Sequence, residues 1–347
     1  MINILKEVAR GKRGARDLNF EEAAAAAEAI LSLSATPAQI GAFLIAERIK
    51  LESIEELEAF VSVCRKFTKR ESVQEGIDCA GPYDGRIRSF AATFPTAFLL
   101  AAAGLPVTLH GSASLPPKWG ITLQDIILEA DIPSSALSRE SSIHAARRSG
   151  VLYASSEEWC PPLGKLRGIR EEIGMRTIIN TTEKLMDYAC SPFIVLGIYH
   201  NTVFDRLSRL LIKLGYRKAM IIQGTEGSED LHIDRPTRVY TVENGDSGLD
   251  IIDPEAFGLD TPVPDVVWDA RLQLTTTEAV LRGGGHLAFY NQVLLNGAVR
   301  LHLAGRVGSI EEGVYTCKDL LDGGKAWDIY SAWKNALRSV PPVTHHV

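Results

Sequence analysis

Residues 97–112, AFLLAAAGLPVTLHGS, constrain the fold of this chain more than any other stretch. They read as a small-residue helix closed by Gly104, a short strand over LPVTL, and a turn at His110-Gly111. Glycine just past a helix supplies the left-handed residue that ends it. The same alternation returns later. Leu207, Leu210, Leu211 and Leu214 lie at helical spacing and predict a helix over 203–214, which ends before Gly215 and feeds a strand at 219–222. Residues 238–242 read as a further strand, followed by an Asn244-Gly245-Asp246 turn. Helices alternating with strands across short glycine-marked junctions predict an α/β fold with a mostly parallel central sheet flanked by helices. In such sheets ligands sit beyond the carboxyl ends of the strands. The His110-Gly111 turn and the Gln223-Gly224-Thr225-Glu226-Gly227 turn both fall at such ends.

Residues 1–70 read instead as helix throughout. Asn19 with Glu22, Thr36 with Gln39, and Ser53 with Glu56 are spaced to close capping boxes. Pro37 stands at the first turn of the second of these helices. In the third, Leu57, Phe60, Val61, Cys64 and Phe67 form one apolar stripe, so this region is expected to pack on the rest of the chain or on a second copy. Residues 164–190 and 275–337 also read as helical.

The net charge of −6 argues against a protein that coats nucleic acid through bulk charge. The five cysteines are scattered without a Cys-x-x-Cys pair, which fits reduced thiols rather than disulfides or a zinc site. No apolar run approaches the roughly 18 residues of a membrane helix, and the first residues lack the apolar centre of a signal peptide. A soluble cytoplasmic protein with no membrane partner is the expectation.

Several segments together resemble the anthranilate phosphoribosyltransferases, members of glycosyltransferase family three. They are the stretch ending in His110-Gly111, Ala35–Ala46, Arg170–Asn180, Val293–Ala298, Leu303–Gly305 and Ser309–Gly313. The opening Arg10-Gly11-Lys12, Ala15–Leu18, Cys160–Leu163 and Gly224–Gly227 are similar to a narrower, YbiB-type branch, whose members keep the fold and bind nucleic acid. The resemblance implies a small N-terminal helical domain, 1–70, completed by about 164–190. It implies a larger α/β domain over 71–163 and 191–347, and a homodimer formed through the helical domain.

The resemblance also implies a cradle for phosphoribosyl pyrophosphate, and the substitutions in it are informative. The family's Gly-Thr-Gly-Gly-Asp loop falls on Gly81-Pro82-Tyr83-Asp84-Gly85. Proline removes an amide donor, and tyrosine fills space that glycine leaves for phosphate. Of the following Asn-x-Ser-Thr only Thr93 keeps a hydroxyl. The lysine and asparagine flanking His110-Gly111 are Leu109 and Ser112, and later phosphate-contacting serines become Pro116 and Pro117, with Lys118 close by to supply charge. The cleft candidates are therefore Gly81, Asp84, Gly85, Thr93, His110, Gly111, Ser112, Lys118 and Arg170.

The family's metal-binding Asp-Glu pair falls on Glu229-Asp230 in reversed order, which implies Mg²⁺ there, although two adjacent acids also suit a capped surface loop. Arg170 falls on the arginine that faces the anthranilate carboxylate; pairing with Glu171, Glu172 or another helix is the other reading. No acidic partner for His110 can be assigned, and no catalytic residue is assigned. Lys12, Arg13, Arg16, Lys165 and Arg167 could form a phosphate track for nucleic acid or an ordinary solvated face. The expected function is a family member with an eroded phosphoribosyl pyrophosphate site that binds a phosphate-bearing ligand or nucleic acid. The alternative is an active phosphoribosyltransferase with a remodelled site.

Overall fold

The computed structural model describes residues 1–11, 13–72 and 75–339. The helices Phe20–Leu31, Pro37–Lys50 and Ile54–Phe67 start at the three expected capping boxes, each closed in both directions. At Ser53, for example, the hydroxyl accepts from the Glu56 amide at 3.2 Å, and the Glu56 carboxylate accepts from the Ser53 amide at 2.7 Å. Leu57, Phe60, Val61 and Cys64 are buried, and Phe67 is partly buried, so the stripe packs within this chain. Its neighbours include Leu163, Ile178 and Ile179 from a second helical segment. That segment is not one helix. It is broken into Pro161–Lys165, Arg167–Ile173 and Ile178–Thr182, the middle piece ending at left-handed Gly174.

The larger region is built on a seven-stranded sheet: β1 (Ile77–Ala80), β2 (Val107–Gly111), β3 (Val151–Ser155), β4 (Phe193–Gly197), β5 (Lys218–Ile222), β6 (Thr237–Glu243) and β7 (Asp246–Ile252). Their order is β3-β2-β1-β4-β5-β6-β7. The first five strands run parallel, and β6 and β7 are antiparallel. Side chains alternate between two cores, as strand geometry requires. Cys79, Leu109, Val195 and Met220 face one, with the helices Thr93–Ala102, Leu287–Leu303 and Lys325–Ser339. Ala80, Leu152, Ile194 and Ile221 face the other, shared with the N-terminal helices. A mostly parallel sheet, its first five strands buried on both faces, is thus joined to a small helical domain.

The helix expected at 203–214 is Phe204–Lys213, and β2 starts two residues later than its sequence suggests. Strand β7 gives little sequence signal because it is an edge strand, exposed until Ile252. The Asn244-Gly245 turn, with both residues at positive φ (53° and 82°), is what folds it back on β6. All five cysteines are free, and among the described residues no helix is long and apolar enough to cross a membrane.

Candidate functional site

The carboxyl ends of β1, β2, β4 and β5 converge on one region. The loop after β1, Gly81–Gly85, lies directly on the acid pair: a Cβ added at Gly81 would stand 2.7 Å from Glu229 Oε2. Gly85 holds φ +74°, and a Cβ there would meet the Gly120 carbonyl oxygen at 2.3 Å. Between these glycines Tyr83 is buried. Its hydroxyl donates to the Glu183 carbonyl at 3.0 Å and lies 2.7 Å from His110 Nδ1. The other nitrogen of His110, Nε2, lies 2.9 Å from Asp78 Oδ1. His110 therefore has an acidic partner after all. In the parallel register Asp78 stands opposite Thr108, two residues before His110 on the neighbouring strand. Burial pushes the Tyr83 phenol well above its ordinary value, so the phenol keeps its proton.

Glu229 and Asp230 do not decorate a surface loop; both are fully buried. Asp230 accepts from the Thr93 amide at 3.1 Å, and it pairs with Arg86 at 2.7 Å and with Arg300 at 3.3 Å. Arg300 also donates to the Glu229 carbonyl at 2.9 Å and to Asn296 Oδ1 at 2.6 Å. Arg86 reaches Glu229 at 3.6 Å. Two buried guanidinium groups thus balance two buried carboxylates. Gly81, Tyr83, Thr93, His110, Ser112 and Glu229 border a cavity of only about 20 Å³. That is room for roughly one water. Gly111 lines it too, and the Ser112 hydroxyl is turned onto the Ala113 carbonyl at 2.8 Å. Leu109 points away, into the core.

Magnesium prefers six oxygen ligands at about 2.0–2.1 Å, several of them water. Here Asp230 is already held by two arginines and an amide, and the adjoining cavity has no room for a cluster of waters. Among the described residues no group of three or more acids, histidines or cysteines is placed to hold a metal. The pair as arranged does not fit a hydrated Mg²⁺.

The open space lies next door. A cleft of about 390 Å³ runs between the helical domain and the strand ends. Arg48 and Leu51 line it from the first side, Arg176 and Lys184 from the second helical segment, and Ile198, Tyr199 and Arg206 from the sheet side. Asp84, at the tip of the Gly81–Gly85 loop, binds Arg176 at 2.5 Å through one oxygen and Lys118 at 3.2 Å through the other. Lys184 donates to the Gly197 carbonyl at 2.9 Å. Burial pushes its ammonium down to about 8. Arg206 donates to the Glu52 carbonyl at 2.6 Å, joining the two walls. The local sequence gave no signal for Lys184, Arg206 or Arg300; only the chain's path through space brings them here.

Arg170 does not face this cleft. It is buried and makes two 2.8 Å hydrogen bonds to Glu183, the reading in which it pairs with another part of the helical segment. The basic track is similarly occupied. Arg16 is held by Glu7 and Glu22, and Arg167 by Glu157 and Glu171. Arg13 and Lys165 are exposed, and Lys12 lies outside the described residues.

Comparison with known proteins accords with this architecture. A family model described as "Glycosyl transferase family, a/b domain" matches residues 84–327, and one described as "Glycosyl transferase family, helical bundle domain" matches residues 2–68. The anthranilate phosphoribosyltransferase of Thioalkalivibrio sulfidiphilus is 32% identical over 316 residues, covering 89% of this chain and 92% of its own. That of Persephonella marina is 29% identical over 331 residues, covering 94% and 97%. The crystal structure of the Thermus thermophilus enzyme aligns with a TM-score of 0.82 at 22% identity, over 97% of this chain and 99% of that one. The Saccharomyces cerevisiae enzyme in complex with PRPP and Mg gives 0.80 at 17% identity, over 98% of both. These structural likenesses speak for the fold alone. With both family regions matched along most of its length, the chain belongs to the anthranilate phosphoribosyltransferase-like glycosyl transferase family.

Proposed function

We propose that this protein binds a phosphate-bearing ligand in the open cleft, and that it carries out little or no phosphoribosyl transfer to anthranilate. The single observation that carries this reading is the size of the space at the family's cradle. Small-molecule sites usually occupy about 300–1,000 Å³. The cavity at Gly81, Thr93 and His110 offers about 20 Å³, the adjoining cleft about 390 Å³. Pro82 and Tyr83 line both and stand at the boundary between them. Transfer also needs donors aimed at the developing pyrophosphate charge, each worth roughly 3–4 kcal/mol. Pro82 has no amide hydrogen, and Leu109 lies in the core.

An active phosphoribosyltransferase is the second reading. It is favoured by full-length relatives that carry the name anthranilate phosphoribosyltransferase and by the retention of Asp84, Thr93, Glu229 and Asp230. Anthranilate fluorescence, followed with phosphoribosyl pyrophosphate and Mg²⁺, separates the two. The signal stays constant on the first reading. Steady loss at ordinary enzyme rates, about 1–1,000 per second, would establish the second. Nucleic acid is the weaker ligand class, because Arg16 and Arg167 are already neutralised by acids.

A further inference from the structure

Four cations line the cleft, Arg48, Arg176, Lys184 and Arg206, against three acids, Glu52, Asp84 and Glu226. The acids cancel all but one of these charges. Glu226 turns its carboxylate onto the amides of Ile87 and Arg88 and the hydroxyl of Ser89. Asp84 is held twice, by Arg176 and by Lys118. Lys184 has three ammonium donors, and among the described residues one acceptor engages them, the Gly197 carbonyl. With Glu226 and Asp84 set against Lys118, Arg176 and Lys184, the group carries one positive charge in excess. Pro82, Ile198, Leu207 and the largely exposed ring of Tyr199 line the same cleft. Partly desolvated cations and apolar side chains lining one cleft suit an anion carried on a flat body.

We propose that Lys184, with Arg176 and Lys118 gathered on Asp84, is a phosphate subsite that takes a phosphomonoester or pyrophosphate group borne on an aromatic ring. This rests on the reading that the cleft is where the phosphate ligand sits, and it names the residue that receives it. Purely structural use of Lys184, as a tie between the second helical segment and the end of β4, would need no free donors and no cavity in front of them. The depressed ammonium adds a chemical handle: near pH 8 an appreciable fraction of Lys184 is a neutral amine that can add to an aldehyde.

The experiment has two arms on the full chain. In the first, inorganic pyrophosphate is titrated calorimetrically into the wild type and into Lys184→Met, whose side chain has similar length and no charge. The expected result is binding to the wild type and at least tenfold weaker binding to the variant. Equal binding to both overturns the Lys184 assignment and leaves the cleft reading standing. No binding to the wild type overturns the cleft reading itself.

The second arm needs no variant, so it survives a folding defect. The wild type is treated with pyridoxal 5′-phosphate and then borohydride. The lysine amine adds to the aldehyde carbon, water leaves with the carbonyl oxygen, and hydride reduces the imine to a stable secondary amine. Peptide mapping should find Lys184 modified ahead of the surface lysines, with pyrophosphate protecting it. Modification elsewhere with Lys184 untouched, or modification of Lys184 that pyrophosphate does not slow, overturns the assignment.

Discussion

Among single residues Arg86 decides the most, because the two acids beside it are shut off from bulk solvent. Glu229 and Asp230 are fully buried, and among the described residues none donates a hydrogen bond to the Glu229 carboxylate. Removing one partner of a buried ion pair leaves an uncompensated charge, which costs roughly 3–5 kcal/mol. Arg86→Ala is therefore expected to lower the unfolding free energy by about that much, read from urea midpoints at constant slope. A loss below about 1 kcal/mol would mean that Arg300 alone balances the pair. None of this was legible in the sequence. Glu229-Asp230 stood out only by resemblance, and their partners come from the loop after β1 and from the helix Leu287–Leu303, far away along the chain. Tyr83 was legible as bulk in a loop expected to be open. Its bond network was not, because pairing Asp78 with His110 requires the register of two strands.

The helical domain carries a different buried charge. Glu47, on the helix Pro37–Lys50, is fully buried, with Lys50 Nζ 3.6 Å away and Glu56 on the next helix. Glu56 takes the stronger bond to Lys50, 2.6 Å, and also accepts from the Leu18 and Ser53 amides. Burial, then the charge of Glu56, pushes the Glu47 carboxyl up to about 8 from its ordinary 4.5. The folded chain thus keeps a proton that the unfolded chain releases. This contribution to stability is full below 4.5 and is lost as pH rises through about 8. Glu47→Gln keeps the shape and removes the titration. It should be more stable than the wild type by ~1–3 kcal/mol near pH 8 and close to it near pH 5, measured by urea unfolding at both. Equal pH dependence in the two proteins would contradict the assignment. At this scale the sequence was informative wherever the signal was local. All three capping boxes close as spaced, because their donors and acceptors lie three residues apart. The breaks within 161–182 are marked locally by Gly174 and by the Thr177–Asn180 capping box, and the exposed strand β7 only by the Asn244-Gly245 turn before it.

For the molecule as a whole, the helical domain is also the surface proposed for self-association. Its apolar stripe is buried within the chain, but Ile2, Ile49 and Leu51 are left 61–68% exposed there. Sedimentation at micromolar concentration is expected to give twice the chain mass of 37.9 kDa, and the monomer mass would refute a stable dimer. The α/β class and the mostly parallel sheet were legible from the alternation of helices and strands, because that pattern repeats along the chain. The location of the ligand space was not, because it depends on which loops fill the strand ends. Phosphate is expected in the cleft beside Lys184, outside the small cavity under Tyr83. A crystal structure determined with phosphoribosyl pyrophosphate and Mg²⁺ offered together tests this most directly. The expected result is phosphate density between Lys184 and Arg176, with Arg86 still on Glu229 and Asp230. Pyrophosphate seated on Gly81–Gly85, with Tyr83 displaced and a metal bound to Glu229 and Asp230, would contradict it.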